Sequence, residues 1–391
     1  MSKITLIKNA RVYAPRDFGY CDVLVAGDKI ARVDQNLELP QSLGETVDAD
    51  GAWMLPGLVD SLVHISGGGG EGGFASRTPE LDPREAFAAG VTTVIGVLGT
   101  DATTRTLNEL YGKARALDAQ GLSCYMHSGS YQFPVNTLTG SVRTDIMLVH
   151  NIIGVGELAI SDHRSSNPSI QELVRVASDA RVAGLLAGKS GVISVHVGGA
   201  PGRLEPLFAA VEQSDLPITQ FYPTHMNRNE SLLAHGVEFT CAGGFIDFTA
   251  STTEEILASG ELRASRALRC ALEAGAPADR LTLSSDAQGS LTNFCDNGAL
   301  QDIEVGSVAS LFDEFRRAVR DEQVDFVMAL QAVTTNPARV LGLRHKGCIA
   351  PRQDADLCLV DPDSFEIRHV MARGTWQFFD GHNRFRGAFS R

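Results

Sequence analysis

The chain lacks any surplus of positive charge: 34 Lys and Arg stand against 47 Asp and Glu, a formal net charge of −13. Such a chain has no global field to draw nucleic acid or an anionic membrane, so neither is expected as a partner, and an anionic ligand requires a local basic pocket. Cysteine is sparse. The seven, at positions 21, 124, 241, 270, 295, 348 and 358, show no C-x-x-C spacing, which excludes a disulfide-dense secreted scaffold and fits a reducing cytoplasm. Long apolar runs are missing as well: no segment approaches the roughly 20 residues of a membrane span. The opening MSKITLIKNARVYAP is broken by Lys3, Lys8 and Arg11 and lacks the apolar run of a signal peptide, so a soluble cytoplasmic protein is expected.

What is present points to a large folded unit. Hydrophobic residues make up 43% of the 391 and charged residues 21%, ample for a buried core and enough chain for one catalytic-size domain with an appendage. The 39 glycines suggest many tight turns.

Both ends read as short strands. Ile4–Ile7, Asp22–Val25 and Lys29–Val33 form one group, and Asp356–Val360, Ile367–Met371 and Thr375–Phe379 the other, each bounded by turn residues. Between them, apolar β-branched runs alternate with stretches of helical period, the pattern of a parallel sheet covered by helices. Eight runs qualify: Leu58–Ile65, Thr93–Leu98, Ser123–Ser128, Ile152–Glu157, Val192–Val197, Ile218–His225, Phe245–Ala250 and Leu281–Asp286. The expected fold class is therefore α/β, a (β/α)8 TIM-like barrel over residues 55–345, with a small β-sandwich built from residues 1–54 and 346–391; a doubly wound open sheet is the alternative.

Barrels of this type place their chemistry at the C-terminal ends of the strands. There the sequence sets His64, Glu157, His196, His225 and Asp286, closing the first, fourth, fifth, sixth and eighth runs. Each alone reads more readily as a satisfied polar residue at a strand end. Five on one face form a nitrogen and oxygen set suited to Zn²⁺ or a similar divalent ion.

The segments PGLVDSLVHISGGGGE (56–71), GELAISDHR (156–164), PTHMNRN (223–229), LSSDAQGS (283–290) and DADLCLVDP (354–362) resemble the amidohydrolase superfamily, and within it the isoaspartyl (β-aspartyl) dipeptidases. The likeness covers nearly the whole chain, with two departures. Leu62 stands where the family's His-x-His has its first histidine, and Glu157 stands where the family carries a carbamylated lysine. Some deacetylases of the superfamily are similar in holding one metal with a Glu and two His.

The resemblance implies a three-ligand site of Glu157, His196 and His225 for one divalent ion per chain, zinc being expected. A second ion at His64 would be weak or absent, and no lysine carbamate is needed. It implies Asp286 as general base, Tyr131 as the group that polarises the scissile carbonyl, and Glu71 beside Gly69 as partner of an α-ammonium group. Arg164 and Arg228 would clamp a carboxylate, with Thr100 and Ser290 hydrogen-bonding a second one. The implied activity is hydrolysis of the amide bond of β-aspartyl dipeptides, releasing aspartate and an amino acid, by a homo-oligomeric enzyme. N-acyl amino acids or cyclic amides are the alternative substrates, and a catalytically weak carboxylate binder is the reading from another class.

Overall fold

The computed structural model describes residues 4–294 and 300–387. Five strands open the chain: β1 (Ile4–Tyr13), β2 (Asp17–Ala26), β3 (Lys29–Asp34), β4 (Glu45–Asp48) and β5 (Trp53–Pro56). Eight follow with helices between them: β6 (Leu58–Val63), β7 (Val91–Gly96), β8 (Ser123–Ser128), β9 (Ile152–Ile160), β10 (Val192–Val197), β11 (Phe221–Thr224), β12 (Ile246–Thr249) and β13 (Leu281–Ser284). A hairpin of β14 (Ser290–Phe294) and β15 (Leu300–Val305) comes next, and β16 (Leu357–Val360), β17 (Ile367–Ala372), β18 (Thr375–Phe379) and β19 (His382–Asn383) end the chain.

The eight central strands lie in the order of the sequence. Parallel ladders join β6 through β11, a separate parallel pair joins β12 to β13, and Met226 N donates to Asp247 O at 3.1 Å across the junction. The circle closes through Asp286 N to Leu62 O at 3.1 Å and His64 N to Ala287 O at 2.9 Å. A TIM-like barrel results, and the open-sheet alternative falls away. Strands β6, β7 and β9 to β13 are buried along their whole length, which is why they read as continuous apolar runs rather than alternating ones. The outer helices start on signals written locally: Thr106 with Glu109 and Ser169 with Glu172 are complete capping boxes, and Gly188 ends the second of these helices at φ 67°.

The terminal strands form a sheet of nine, ordered β19-β18-β17-β16-β5-β1-β2-β3 with β4 added to β1. The two termini build one β unit as expected, and hydrogen bonding runs through it without a break, because β5 pairs antiparallel with β16 from Trp53↔Val360 to Pro56↔Leu357. Its own core gathers Ile7, Val12, Val23, Ile30, Met54, Leu357, Leu359 and Trp376 from both ends of the chain. The DADL segment has a structural task here. Buried Lys346 donates to Asp356 at 2.6 Å, pairs with Asp354 at 2.8 Å and reaches Ser123 of β8 at 2.6 Å, tying the start of β16 to the barrel.

Candidate active site at the barrel mouth

The strand ends deliver the predicted residues to one place. His64, Gly69, Glu71, Thr100, Tyr131, Arg164, His196, His225, Arg228, Asp286 and Ser290 all line a single cavity at the C-terminal end of the barrel, and Glu157 lies fully buried beneath it. In the β9 to β10 ladder one extra residue intervenes between Val155 and Leu158, a bulge that turns the Glu157 carboxylate into the barrel. Gly156 is required there: φ is 146°, and a Cβ would lie 2.6 Å from Ser194 O. His225 and Asp286 sit just past their strands at φ 64° and 54°, a left-handed geometry that non-glycine residues adopt at a cost and that clusters at functional sites.

The two oxygens of Glu157 face different neighbours. Oε2 lies 3.5 Å from His196 Nδ1 and 3.5 Å from His225 Nε2, while Oε1 lies 3.5 Å from His64 Nε2, which is itself 3.2 Å from Asp286 Oδ1. Neither Glu157 oxygen nor His225 Nε2 has a hydrogen-bond partner although all are buried. Unpartnered buried polar atoms are costly, so three of them converging on one point fit a divalent cation. One ligand atom each from Glu157, His196 and His225 lies within 4.8 Å of the others, the one such group among the described residues. Leu62 is buried in β6 and offers the His64 side nothing to coordinate.

Charge follows from these neighbours. Burial opposes ionisation of Glu157, but the flanking imidazoles outweigh it and hold the carboxyl well below the usual range. Burial lowers His225 to about 4, so its imidazole is neutral and able to coordinate; its Nδ1 meets Thr249 Oγ1 at 2.5 Å, which aims Nε2 at Glu157. For His64, burial disfavours the charged form, and Asp286, Glu157 and Glu71 together raise it above its ordinary value.

The outer shell is held together by Glu71. Thr100 and Ser290 each donate to it at 3.0 Å, and Arg164 lies 3.5 Å away, so both hydroxyls expected to meet a substrate carboxylate are engaged with this side chain. Arg164 also stacks over Tyr131 at 5.5 Å, and Arg228 is braced by donation of Nε to Val197 O at 3.0 Å. Tyr131 OH contacts His196 Nδ1 at 2.6 Å. In the glycine run, Gly67 N donates to His64 O and Gly68 N to Gln288 O, and a Cβ at Gly69 would lie 2.6 Å from Ser76 O. Close packing explains these glycines.

Sequence reading passed over three residues of the site. Thr249 and Glu261 line the cavity from β12 and the loop beyond it, where no motif marks them. Asp162 lies inside the quoted SDHR segment; an acid two residues before Arg164 was the signal available.

With this geometry in view, comparison with known proteins assigns the class. The chain matches the model of the amidohydrolase family over residues 53–377 and belongs to that family. Among solved structures it is similar to the β-aspartyl dipeptidase of Fervidobacterium islandicum AW-1 in complex with β-Asp-Leu dipeptide. That chain is 43% identical with a TM-score of 0.92, over 98% of this chain and all of the other; a second structure of the dipeptidase from the same organism gives 41% and 0.88. Curated relatives are more distant: a dihydroorotase of Lactobacillus johnsonii is 24% identical over 415 residues, 97% of this chain and 94% of its own. The likeness first drawn from the GGGGE, SDHR and THMNRN segments thus extends over the chain as a whole.

Proposed function

We propose that this amidohydrolase is a mononuclear metallo-dipeptidase that hydrolyses the β-linked amide of isoaspartyl dipeptides, releasing aspartate and a second amino acid. The observation that carries the reading is one cavity in which Glu71, Arg164 and Arg228 surround the Glu157, His196 and His225 ligand set. A carboxylate and two guanidinium groups match a zwitterion with two acidic groups, and the match is local, set against a net charge of −13. Similarity to a dipeptidase solved with β-Asp-Leu supports the same class.

A divalent ion on Glu157, His196 and His225, proposed as zinc, supplies Lewis acidity and lowers the pKa of water toward neutrality. The chain's own groups do the rest. Arg164 and Arg228 bind and orient the substrate carboxylates, and Glu71 pairs with the α-ammonium group, holding the amide over the ligand set. Tyr131 presents its phenol to the carbonyl oxygen, and Asp286 accepts a proton from the attacking water and returns it to the leaving amine. A carboxylate at position 157 replaces a carbamylated lysine, so removing carbon dioxide leaves the site intact. The reading includes a cytoplasmic homo-oligomer; exposed Leu148, Leu185 and Leu186 on the packed helices 142–148 and 170–187 give it apolar surface to bury.

Assay of zinc-loaded protein on β-Asp-Leu, beside N-acetyl and N-formyl amino acids and dihydroorotate, tests the substrate class. The dihydroorotase relatives motivate the last arm. Turnover of the dipeptide is expected; turnover of a competitor alone replaces this reading. Elemental analysis should find about one tightly held ion per chain, and two would overturn the mononuclear centre.

A further inference from the structure

We infer that Asp162 is a positioning residue for both halves of the site, holding Arg164 in place for a substrate carboxylate and fixing the tautomer of His196 so that Nδ1 faces the ligand set. The substrate arm rests on the dipeptidase reading above; the tautomer arm does not. Asp162 stands in the loop after β9, five residues beyond Glu157, with its side chain 6% exposed. Its Oδ1 accepts from Arg164 Nε at 3.0 Å and from the Arg164 backbone N–H at 2.8 Å, and its Oδ2 accepts from Arg164 Nη2 at 2.9 Å. The planar guanidinium is thereby fixed in two dimensions.

The same Oδ2 lies 2.9 Å from His196 Nε2. A carboxylate can only accept, so Nε2 carries the ring proton and Nδ1 keeps its lone pair. Nδ1 is the nitrogen 3.5 Å from Glu157 Oε2, on the side where Glu157 and His225 meet, and Tyr131 OH lies 2.6 Å from it; a metal on that lone pair would take the place of this contact. A plain ion pair with Arg164 accounts for the fork but not for the contact with Nε2. His163 reaches the carboxylate only at 3.6 Å, from the solvent side. One carboxylate therefore sets the coordinating atom of a metal ligand and the direction of a substrate clamp.

The test compares wild type, Asp162→Asn and Arg164→Met. An amide at 162 must turn an N–H toward either Arg164 or His196 Nε2–H, so it cannot satisfy both. Histidine-selective ¹⁵N NMR of the zinc-loaded wild type should show His196 protonated at Nε2, with Nδ1 the unprotonated nitrogen. Chelator competition should show Asp162→Asn binding zinc 10–100-fold more weakly, the range for loss of a group that orients a ligand. Its KM for β-Asp-Leu should rise in parallel. Arg164→Met should raise KM while zinc affinity stays within about twofold. Protonation of His196 at Nδ1 in wild type overturns the inference without any variant. So does wild-type zinc affinity in a folded Asp162→Asn. Failure of the wild type to cleave any β-aspartyl dipeptide defeats the substrate reading alone, and the zinc and NMR measurements still decide the role of Asp162.

Discussion

Two layers of buried carboxylate lie inside the same barrel and are treated in opposite ways. At the mouth, Glu157 is surrounded by His64, His196 and His225, carries no hydrogen bond on either oxygen, and is held ionised. Farther from the C-terminal strand ends, Asp247 accepts from Thr224 at 2.7 Å, Ser284 at 2.5 Å and Thr282 at 2.7 Å, with Tyr222 at 3.2 Å. Asp60, on β6, accepts from the backbone of Ser285 at 2.9 Å. Among the described residues no Lys, Arg or His side chain hydrogen-bonds this inner pair, and burial pushes Asp247 to about 6 and Asp60 to about 7. Burial is complete in both layers, so the neighbours decide. A carboxylate ringed by imidazoles and free of hydrogen bonds stays charged and suits a cation, whereas hydroxyls fasten a carboxyl to its neighbours.

Substitutions should separate the layers. The largest effect is expected at Glu157→Ala, which removes the one side chain shared by both halves of the mouth. Elemental analysis should find no tightly held ion, and retention of a stoichiometric ion would show that the mouth is not a metal layer. Asp286→Ala should keep the ion and lower turnover of β-Asp-Leu by roughly 10²–10⁴-fold, the usual contribution of a general acid-base group. Equal loss of metal and turnover would move Asp286 into the ligand set. Asp247→Ala should act on the fold alone. It strips a buried hydroxyl cluster of its acceptor, costing roughly 3 kcal/mol in denaturant unfolding with no change in metal content.

The smallest effect concerns pH. Asp60 keeps its proton to about 7 in the folded protein, against 3.8 for an ordinary Asp, so its contribution to stability is full below 3.8 and is lost as the pH rises through about 7. Buried His127, lowered to about 4, titrates in the opposite sense over much of the same range, which makes the wild-type profile alone ambiguous. The difference between wild type and Asp60→Asn isolates the carboxyl. The variant should gain relative to wild type between pH 4 and 7, and a pH-independent difference would show that Asp60 is ionised like an ordinary surface acid.

Legibility followed the range of the interactions. The barrel strands lay within a few residues of their expected limits because strands buried on both faces must be apolar throughout, and the capping residues of helices 107–119 and 170–187 are written within four positions of each start. The hairpin of β14 and β15 was missed although Asn297-Gly298 is a turn signal in the sequence, because Ser290, Thr292 and Asn293 give its first strand no strong alternation. Asp162 escaped for another reason: its partner His196 is 34 residues away, and no local pattern marks a contact between a loop and the end of the next strand.

By itself the sequence determined the residue types at the strand ends, Leu62 and Glu157 among them, and the apolar periodicity that builds a barrel. Those are properties of single positions and short windows. Tertiary structure alone decided that Glu157 turns one oxygen to His196 and His225 and the other to His64, that Thr100 and Ser290 grip Glu71, and that the terminal strands join in one sheet through β5 and β16. Closing the barrel sets side chains more than 200 residues apart, such as His64 and Asp286, within 3.2 Å of each other. Such contacts depend on where whole strands end in space, and backbone geometry over the full circle fixes that.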